Sequence, residues 1–208
     1  MNKPSLFLSL GLFTLSLIGC NSTQETNTDS EPTLSKPNII YILADDLGYG
    51  DLSFNGQEHI STPNIDKLAK EGLFFNQHYS GSTVCAPSRS TLVSGFHTGN
   101  APVRGNYEIQ PEGQYPLPDS VFTIFESLKA EGYATGAFGK WGLGYPGSEG
   151  DPNKQGVDVF FGYNCQRMGH NYYPFHLWDN QDSVVLEGNA GKNLEEYGPE
   201  LILSLIHI

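Results

Sequence analysis

Apolar positions along the chain follow two spacings, one typical of strands and one typical of helices. Residues 39–44 form a continuous apolar run with β-branched members, which favours a strand covered on both faces in a parallel sheet. Residues 73–79 and 133–138 are similar runs that predict two further strands. Two short apolar runs separated by polar residues between 177 and 186 predict a hairpin.

Helical spacing occurs in two places between these runs. Thr62 can cap a helix that Gly72 ends. The apolar residues of this helix share one face: Ile65, Leu68 and Ala69. Asp119 or Ser120 can cap a second helix, which Gly132 stops. Its apolar residues recur at helical spacing: Val121, Ile124, Phe125 and Leu128.

The repeated strand–helix–strand order predicts an α/β fold with a mostly parallel sheet flanked by helices. We assign this domain to residues 37–202. Residues 20–36 are rich in Ser, Thr, Asn and Glu and lack an apolar period, which predicts a flexible tether.

The composition excludes some classes of function. The 208 residues are enough for one domain with a core, and 38% of them are hydrophobic. A net charge of −12 without a cluster of Lys and Arg argues against nucleic-acid binding. The chain has three cysteines, which cannot all pair, so we expect no disulfide framework. Cys165 is interpreted as an ordinary buried thiol.

Residues 1–19 have the pattern of a secretion signal. Lys3 gives a positive start, and the apolar run 6–18 is shorter than a membrane span needs. The sequence Leu-Ile-Gly-Cys ending at Cys20 resembles a bacterial lipobox, which predicts cleavage before Cys20 and lipid on its thiol. The alternatives are an ordinary signal peptide cut nearby and an uncleaved anchor. A lipobox predicts an exported lipoprotein, periplasmic or at the cell surface, that meets the membrane only through its lipid anchor.

The stretch around Cys85 combines a thiol with an anion-binding geometry. Pro87 suits the first turn of a helix and Gly95 suits its end, so Cys85 is expected at or just before a helix N-terminus. Backbone N–H groups and the helix dipole favour an anion there, and Arg89 lies one turn on along the same face. Taken alone, a cysteine such as Cys85 is more often a buried structural thiol, and it is the whole motif that favours the functional interpretation.

The run Cys85-Ala86-Pro87-Ser88-Arg89 resembles the sulfatase signature Cys-x-Pro-Ser-Arg, and Ser94-Gly95 stands where that family usually has Thr-Gly. The resemblance implies that Cys85 is oxidised to formylglycine, whose hydrated aldehyde is the nucleophile. It also implies two partners, a formylglycine-generating maturation enzyme and a sulfated small molecule or glycan.

Two adjacent carboxylates, Asp45 and Asp46, follow the predicted strand at 39–44, where α/β sheets place their sites. Adjacent carboxylates repel each other, and a hard cation relieves the repulsion. A solvated loop start, or a cap formed by Asp46, would explain them as well. The segment 37–51 resembles the N-terminal strand of sulfatases, and this implies that Asp45 and Asp46 bind Ca²⁺ together with the modified Cys85.

Residues 139–144, Gly-Lys-Trp-Gly-Leu-Gly, resemble the second sulfatase signature, Gly-Lys-Trp-His-Leu-Gly. The resemblance implies that Lys140 contacts sulfate. The family's histidine is Gly142 here, so its acid/base role does not carry over. His170 is a candidate for that role from another direction, although a lone histidine is more often structural, and His176 is a weaker candidate.

By resemblance, the whole protein is expected to hydrolyse a sulfate ester through a covalent intermediate. Arg89 and Lys140 would neutralise charge on the sulfuryl oxygens, and calcium would polarise them. Two other functions stay open. One is hydrolysis of phosphate or phosphonate monoesters by an enzyme of the same superfamily. The other is a non-catalytic surface lipoprotein, such as a glycan-binding module.

Residues 203–208 close the chain without a helix cap and resemble the translation of a sequencing adapter. We expect them to be non-native, with a genuine apolar helix turn as the alternative. The sulfatase resemblance then covers residues 37–202, less than a full family chain. On this interpretation residues 1–208 alone are not expected to be active, since further metal ligands, a lysine and a histidine would lie beyond them.

Overall fold

The structure is a computed structural model that describes residues 35–191 and 193–206. The predicted signal segment and Cys20 lie outside the described residues, so lipid attachment stays a prediction. The chain divides into two units, Met1–Leu43 and Ala44–Ile208. Within the described ranges, no helix has both the length and the apolar character needed to cross a membrane.

The predicted strand at residues 39–44 is wrong. These residues have no regular secondary structure, and the side chains of Ile40 and Ile42 are each 83% exposed. An apolar run becomes a strand only where neighbouring strands take up its backbone N–H and C=O groups. The sheet in the described residues begins only at Gly136. Residues 73–79, also predicted as a strand, are irregular for the same lack of a neighbour.

The second unit contains a four-stranded sheet in the order β1-β2-β3-β4. Its strands are β1 (Gly136–Lys140), β2 (Val159–Tyr163), β3 (His176–Asp179) and β4 (Asp182–Val185). β1 and β2 are parallel, whereas β2–β3 and β3–β4 are antiparallel. The α/β class and the predicted hairpin are therefore confirmed. The sheet of the described residues is mixed rather than mostly parallel.

The helices of the described residues are α1 (Pro63–Glu71), α2 (Cys85–Ser94), α3 (Ile124–Ala130) and α4 (Gly198–Ile206). Short 3₁₀ turns occur at Tyr49–Asp51, Ser53–Asn55, Pro152–Gln155, Met168–His170 and Glu187–Asn189. Gly72 and Gly95 end α1 and α2 as predicted, and Gly95 has the left-handed φ of 69° that favours glycine. α4 includes residues 203–206, whose non-native origin stays a prediction.

Helix α3 starts later than predicted because Thr123 caps it. The Thr123 hydroxyl accepts the Glu126 N–H at 3.2 Å, and the Glu126 carboxylate accepts the Thr123 N–H at 2.7 Å. This capping box satisfies two donors reciprocally. The Thr123 hydroxyl also donates to the Gln155 carbonyl at 2.8 Å. Asp119 and Ser120, the predicted caps, are exposed and lie before the helix.

Strand β2 is buried on both faces and joins the two apolar clusters of the described residues. Phe160 packs in one cluster with Trp141 and with Ala86 of α2. Phe161 packs in the other with Leu177 of β3. Burial on both faces fixes the register of β2, because a shift by one residue would exchange the two sets of side chains. The parallel pairing with β1 then fixes the position of the end of β1.

We predict that Thr123→Ala lowers the free energy of unfolding by about 1 to 2 kcal/mol, since it removes the cap and leaves the buried Gln155 carbonyl unpaired. Ser120→Ala is the matched control, and we expect its effect to stay within about 0.5 kcal/mol. Urea unfolding followed by circular dichroism measures both. Equal losses in the two variants would show that Thr123 is not the cap.

Candidate active site

Helix α2 carries Cys85 as its first residue, as predicted, after an extended Val84. The Ala86 N–H donates to Asn106 Oδ1 at 2.8 Å. Pro87 has no N–H to offer. Two of the four N–H groups that a helix leaves free at its start are therefore not available to an anion. The positive charge near Cys85 comes mainly from side chains instead.

Lys140 is the closest such side chain. It is the last residue of β1, and its Nζ lies 3.5 Å from Cys85 Sγ and 2.6 Å from Asp45 Oδ2. The Lys140 side chain is only 7% exposed. An ammonium group so far removed from water requires a counter-charge, and Asp45 supplies it.

Gly169 lies against the alkyl stem of Lys140. It belongs to the 3₁₀ turn Met168–His170, and a Cβ built on it would lie 2.5 Å from Lys140 Cδ. Any side chain at residue 169 would push the stem aside. The absence of a side chain at this position therefore lets the turn close over Lys140.

Arg89 contacts both members of the Lys140–Asp45 pair. One of its terminal nitrogens, Nη2, lies 3.5 Å from Asp45 Oδ2, and the other, Nη1, donates to the backbone carbonyl of Lys140. Its side chain is 16% exposed. Burial lowers the pKa of Arg89, and the neighbouring Asp45 and Cys85 raise it in part, so the guanidinium remains charged.

The environment of Asp45 favours its ionised form. Burial raises the pKa of this carboxyl, but the hydrogen bond and charge of Lys140, with the charges of Arg89 and His170, lower it by more. The net pKa of Asp45 lies below its ordinary value. Asp45 is thus a carboxylate that holds two cations beside Cys85.

The fit of a calcium ion to these residues is incomplete. Asp46 is exposed and has a left-handed φ of 55°, a conformation that aspartate tolerates better than most residues. In residues 35–191 and 193–206, no group of three or more His, Cys, Asp or Glu could hold a metal. Asp45 and Asp46 have the oxygen donors that calcium prefers, but an ion usually takes about six to eight oxygens. The described residues therefore do not fit a complete site.

The two candidate histidines lie in different surroundings. His170 is exposed in the turn beside Lys140, and its charge reaches Asp45. His176 lies on β3, where its Nε2 is 2.7 Å from Glu112 Oε2. His170 therefore stays a candidate for the acid, whereas His176 has a structural partner in Glu112. Cys165 is fully buried, as predicted.

Sequence reasoning missed three residues near Cys85 and Lys140. Asn106 holds the start of α2, Gly169 packs on Lys140, and Gln166 packs on Gly142. Each acts across at least 20 residues of chain, so no local pattern indicates it.

We predict that Lys140→Met raises the pKa of Asp45, because it removes the hydrogen bond and the nearest positive charge. Asp158 is the internal control, since Lys129 forms a separate 2.6 Å ion pair with it and lowers its pKa. NMR titration of the carboxyl carbons in the folded protein should show Asp45 shifted and Asp158 unchanged. Lys129→Met should do the reverse, and an unchanged Asp45 would contradict the assigned pair.

The same variant has a pH-dependent effect on stability. Because the folded-state pKa of Asp45 lies below the unfolded value, its pairing stabilises the fold above about pH 4. This contribution is lost as the pH falls through the folded-state pKa. The difference in unfolding free energy between wild type and Lys140→Met should therefore shrink in acid.

Comparisons with known proteins identify the family of this chain. The sequence model of the family Sulfatase matches residues 37–196. Arylsulfatase G of Mus musculus is 39% identical over 156 residues, which are 72% of this chain and 29% of that protein. N-acetylgalactosamine-6-O-sulfatase of Bacteroides thetaiotaomicron is 42% identical over 165 residues, which are 75% of this chain and 29% of that protein.

Solved structures give the same result. The crystal structure of Ps i-CgsB superposes with a TM-score of 0.67 at 31% identity, covering 80% of this chain and 39% of that one. The chain spans less than a third of the length of the arylsulfatase G and the N-acetylgalactosamine-6-O-sulfatase named above. Because the family model matches more than half of the chain, the chain belongs to the sulfatase family.

Proposed function

We propose that the whole protein hydrolyses sulfate esters, with Cys85 as the site of its nucleophile. The observation that carries this proposal is the position of Lys140, whose Nζ lies 3.5 Å from Cys85 Sγ in a nearly buried side chain. Identities of about 40% to arylsulfatases and N-acetylgalactosamine-6-sulfatases support it.

The nucleophile in this proposal is formylglycine made from Cys85 by a maturation enzyme. When present, the hydrated aldehyde supplies one hydroxyl that attacks sulfur and a second that allows sulfate to be released. The surroundings of Cys85 suit this group: the residue is partly exposed, and a cation stands beside the position of its Sγ. An unmodified thiol would offer a single attacking atom and no second hydroxyl.

Lys140 and Arg89 have defined tasks. Lys140 stabilises negative charge on an oxygen at position 85, and both cations neutralise the sulfuryl oxygens as the ester bond breaks. Because Asp45 and the Lys140 carbonyl already orient the two side chains, little reorganisation is needed during the reaction. His170, beside Lys140, is our candidate for the acid that protonates the leaving alcohol.

We also propose that Asp45 and Asp46 are two of the ligands of a calcium ion in the whole protein. Their oxygen donors suit the ion, an oxygen of the modified Cys85 would be a third ligand, and the other ligands would come from outside the described residues. We assign the ion no separate step in the reaction.

A carbohydrate sulfate is the substrate class that the relatives favour. N-acetylgalactosamine-6-sulfatases are among them, and Ps i-CgsB has been solved in complex with k-i-k-neocarrahexaose. We propose a sulfated glycan on this basis. The signal pattern at residues 1–19 and Cys20 supports export and a lipid anchor, which would give the enzyme access to polysaccharides outside the cytoplasm.

We predict that the full-length protein, expressed with the maturation enzyme, hydrolyses an aryl sulfate and that Cys85→Ala abolishes this activity. Cys165→Ala is the matched control, because it removes the other described cysteine, and it should keep activity within about tenfold. Peptide mass spectrometry should find the aldehyde at residue 85 only. Faster hydrolysis of an aryl phosphate would favour a phosphate monoesterase, and an unmodified Cys85 without activity would favour a non-catalytic lipoprotein.

Calcium binding is tested separately. We expect the double variant Asp45→Asn/Asp46→Asn of the full-length protein to lose bound calcium and turnover, because it removes both ligand charges. Metal analysis after gel filtration measures the ion, and Asp119→Asn is the control for loss of one exposed carboxylate. An unchanged calcium content in the double variant would place the ion elsewhere.

A further inference from the structure

Gln166 fills the space beside Gly142. The backbone of Gly142 has a left-handed φ of 74°. A Cβ built on it would lie 1.7 Å from Gln166 Nε2 and 2.5 Å from Gln166 Cδ. These distances are far inside van der Waals contact, so residue 142 has no room for a side chain while Gln166 keeps this position.

Hydrogen bonds on both sides hold Gln166 in place. The residue is 5% exposed, and its backbone N–H donates to Gln114 Oε1 at 2.8 Å. Its Nε2 donates to the Gly142 carbonyl at 3.4 Å. The Gln114 N–H in turn donates to the Gly144 carbonyl at 3.1 Å. Two buried glutamines therefore support the turn from Gly142 to Gly144.

This turn directly follows Lys140, one of the two cations of the site. Lys140 ends β1, and the backbone ladder continues past it: the Trp141 N–H donates to the Tyr163 carbonyl and the Gly142 N–H to the Asn164 carbonyl. Displacement of residue 142 would therefore move Lys140. Gln166 Oε1 is also buried, and it has no hydrogen-bond partner among the described residues. An unpaired buried carbonyl is costly, so an apolar side chain would serve better if filling space were the only requirement.

We propose that Gln166 takes the place of the histidine side chain that the second sulfatase signature carries at residue 142. It is a positioning residue: it holds the turn after Lys140 and puts a neutral amide where the signature has a titratable ring. The space beside the turn after Lys140 can then be filled by a side chain from residue 142 or by one from residue 166, but not by both. This inference rests on the proposed sulfate-ester hydrolysis for its kinetic part only.

The test uses the full-length protein and the variants Gly142→His, Gln166→Ala and the two combined. Gly147→His is the control for a histidine at a left-handed residue, since Gly147 has a φ of 81° and no atoms within 4 Å of its Cβ position. We expect Gly142→His to lower the unfolding midpoint by at least about 5 °C more than Gly147→His does. Adding Gln166→Ala should remove most of that difference.

The kinetic part separates positioning from space filling. Gln166→Ala should lower kcat on an aryl sulfate by about tenfold with little change in KM, because Lys140 acts most strongly in the transition state. The combined variant should recover activity, and its kcat–pH profile should show one ionisation more than that of wild type, near about pH 6.5, the ordinary histidine range.

Three results would overturn the inference. One is an equal loss of stability for Gly142→His and Gly147→His. Another is a Gly142→His cost that Gln166→Ala leaves unchanged. The third is a stable combined variant whose kcat–pH profile has no ionisation beyond those of wild type. The unfolding measurements need no turnover, so inactivity of the wild type would count against the proposed function and leave the stability test decisive.

Discussion

The buried ammonium group of Lys140 is the constraint on which the candidate site depends. Three features fix the Lys140 side chain. Its backbone belongs to β1, Gly169 packs on its alkyl stem, and Asp45 pairs with its Nζ at 2.6 Å. Removing such a charge from water is unfavourable unless a partner compensates it. Asp45 is therefore required to compensate the buried charge of Lys140 beside Cys85. The same ion pair lowers the pKa of Asp45.

Packing in the core determines where this charge lies. β2 is buried on both faces, and β1 is paired to it in parallel from Gly136 to Lys140. The ladder continues past the strand to the turn that Gln114 and Gln166 support. A change in the apolar clusters that shifts β2 would thus be transmitted to Lys140 through backbone hydrogen bonds, without any direct contact with the site.

Features set by local chemistry could be predicted from the sequence. The start of α2 at Cys85, its end at Gly95 and the hairpin of β3 and β4 follow from short patterns. The strand at 39–44 was predicted wrongly, because an apolar run does not specify its neighbours. The cap of α3 was placed at residues 119–120, although the Thr-x-x-Glu pattern beginning at Thr123 is a stronger signal.

Most of the site could not be predicted from local patterns. The signatures identified Cys85, Arg89 and Lys140 by resemblance, but no pattern indicated that Arg89 donates to the carbonyl of Lys140 across 51 residues. Gln166 was missed for the same reason, since its effect on Gly142 depends on how two loops pack. Contacts between distant segments are decided by the whole fold, and a single sequence does not state them.

The start of α2 has a consequence for how readily this site can change during evolution. Asn106 takes one backbone donor and Pro87 removes another, so anion attraction rests mainly on two side chains rather than on main-chain geometry. A site built from peptide N–H groups keeps its donors when a side chain changes, provided that the backbone stays in place. One built from Arg89 and Lys140 loses one of its two cations by a single codon change, so the positive charge of the site can be altered stepwise.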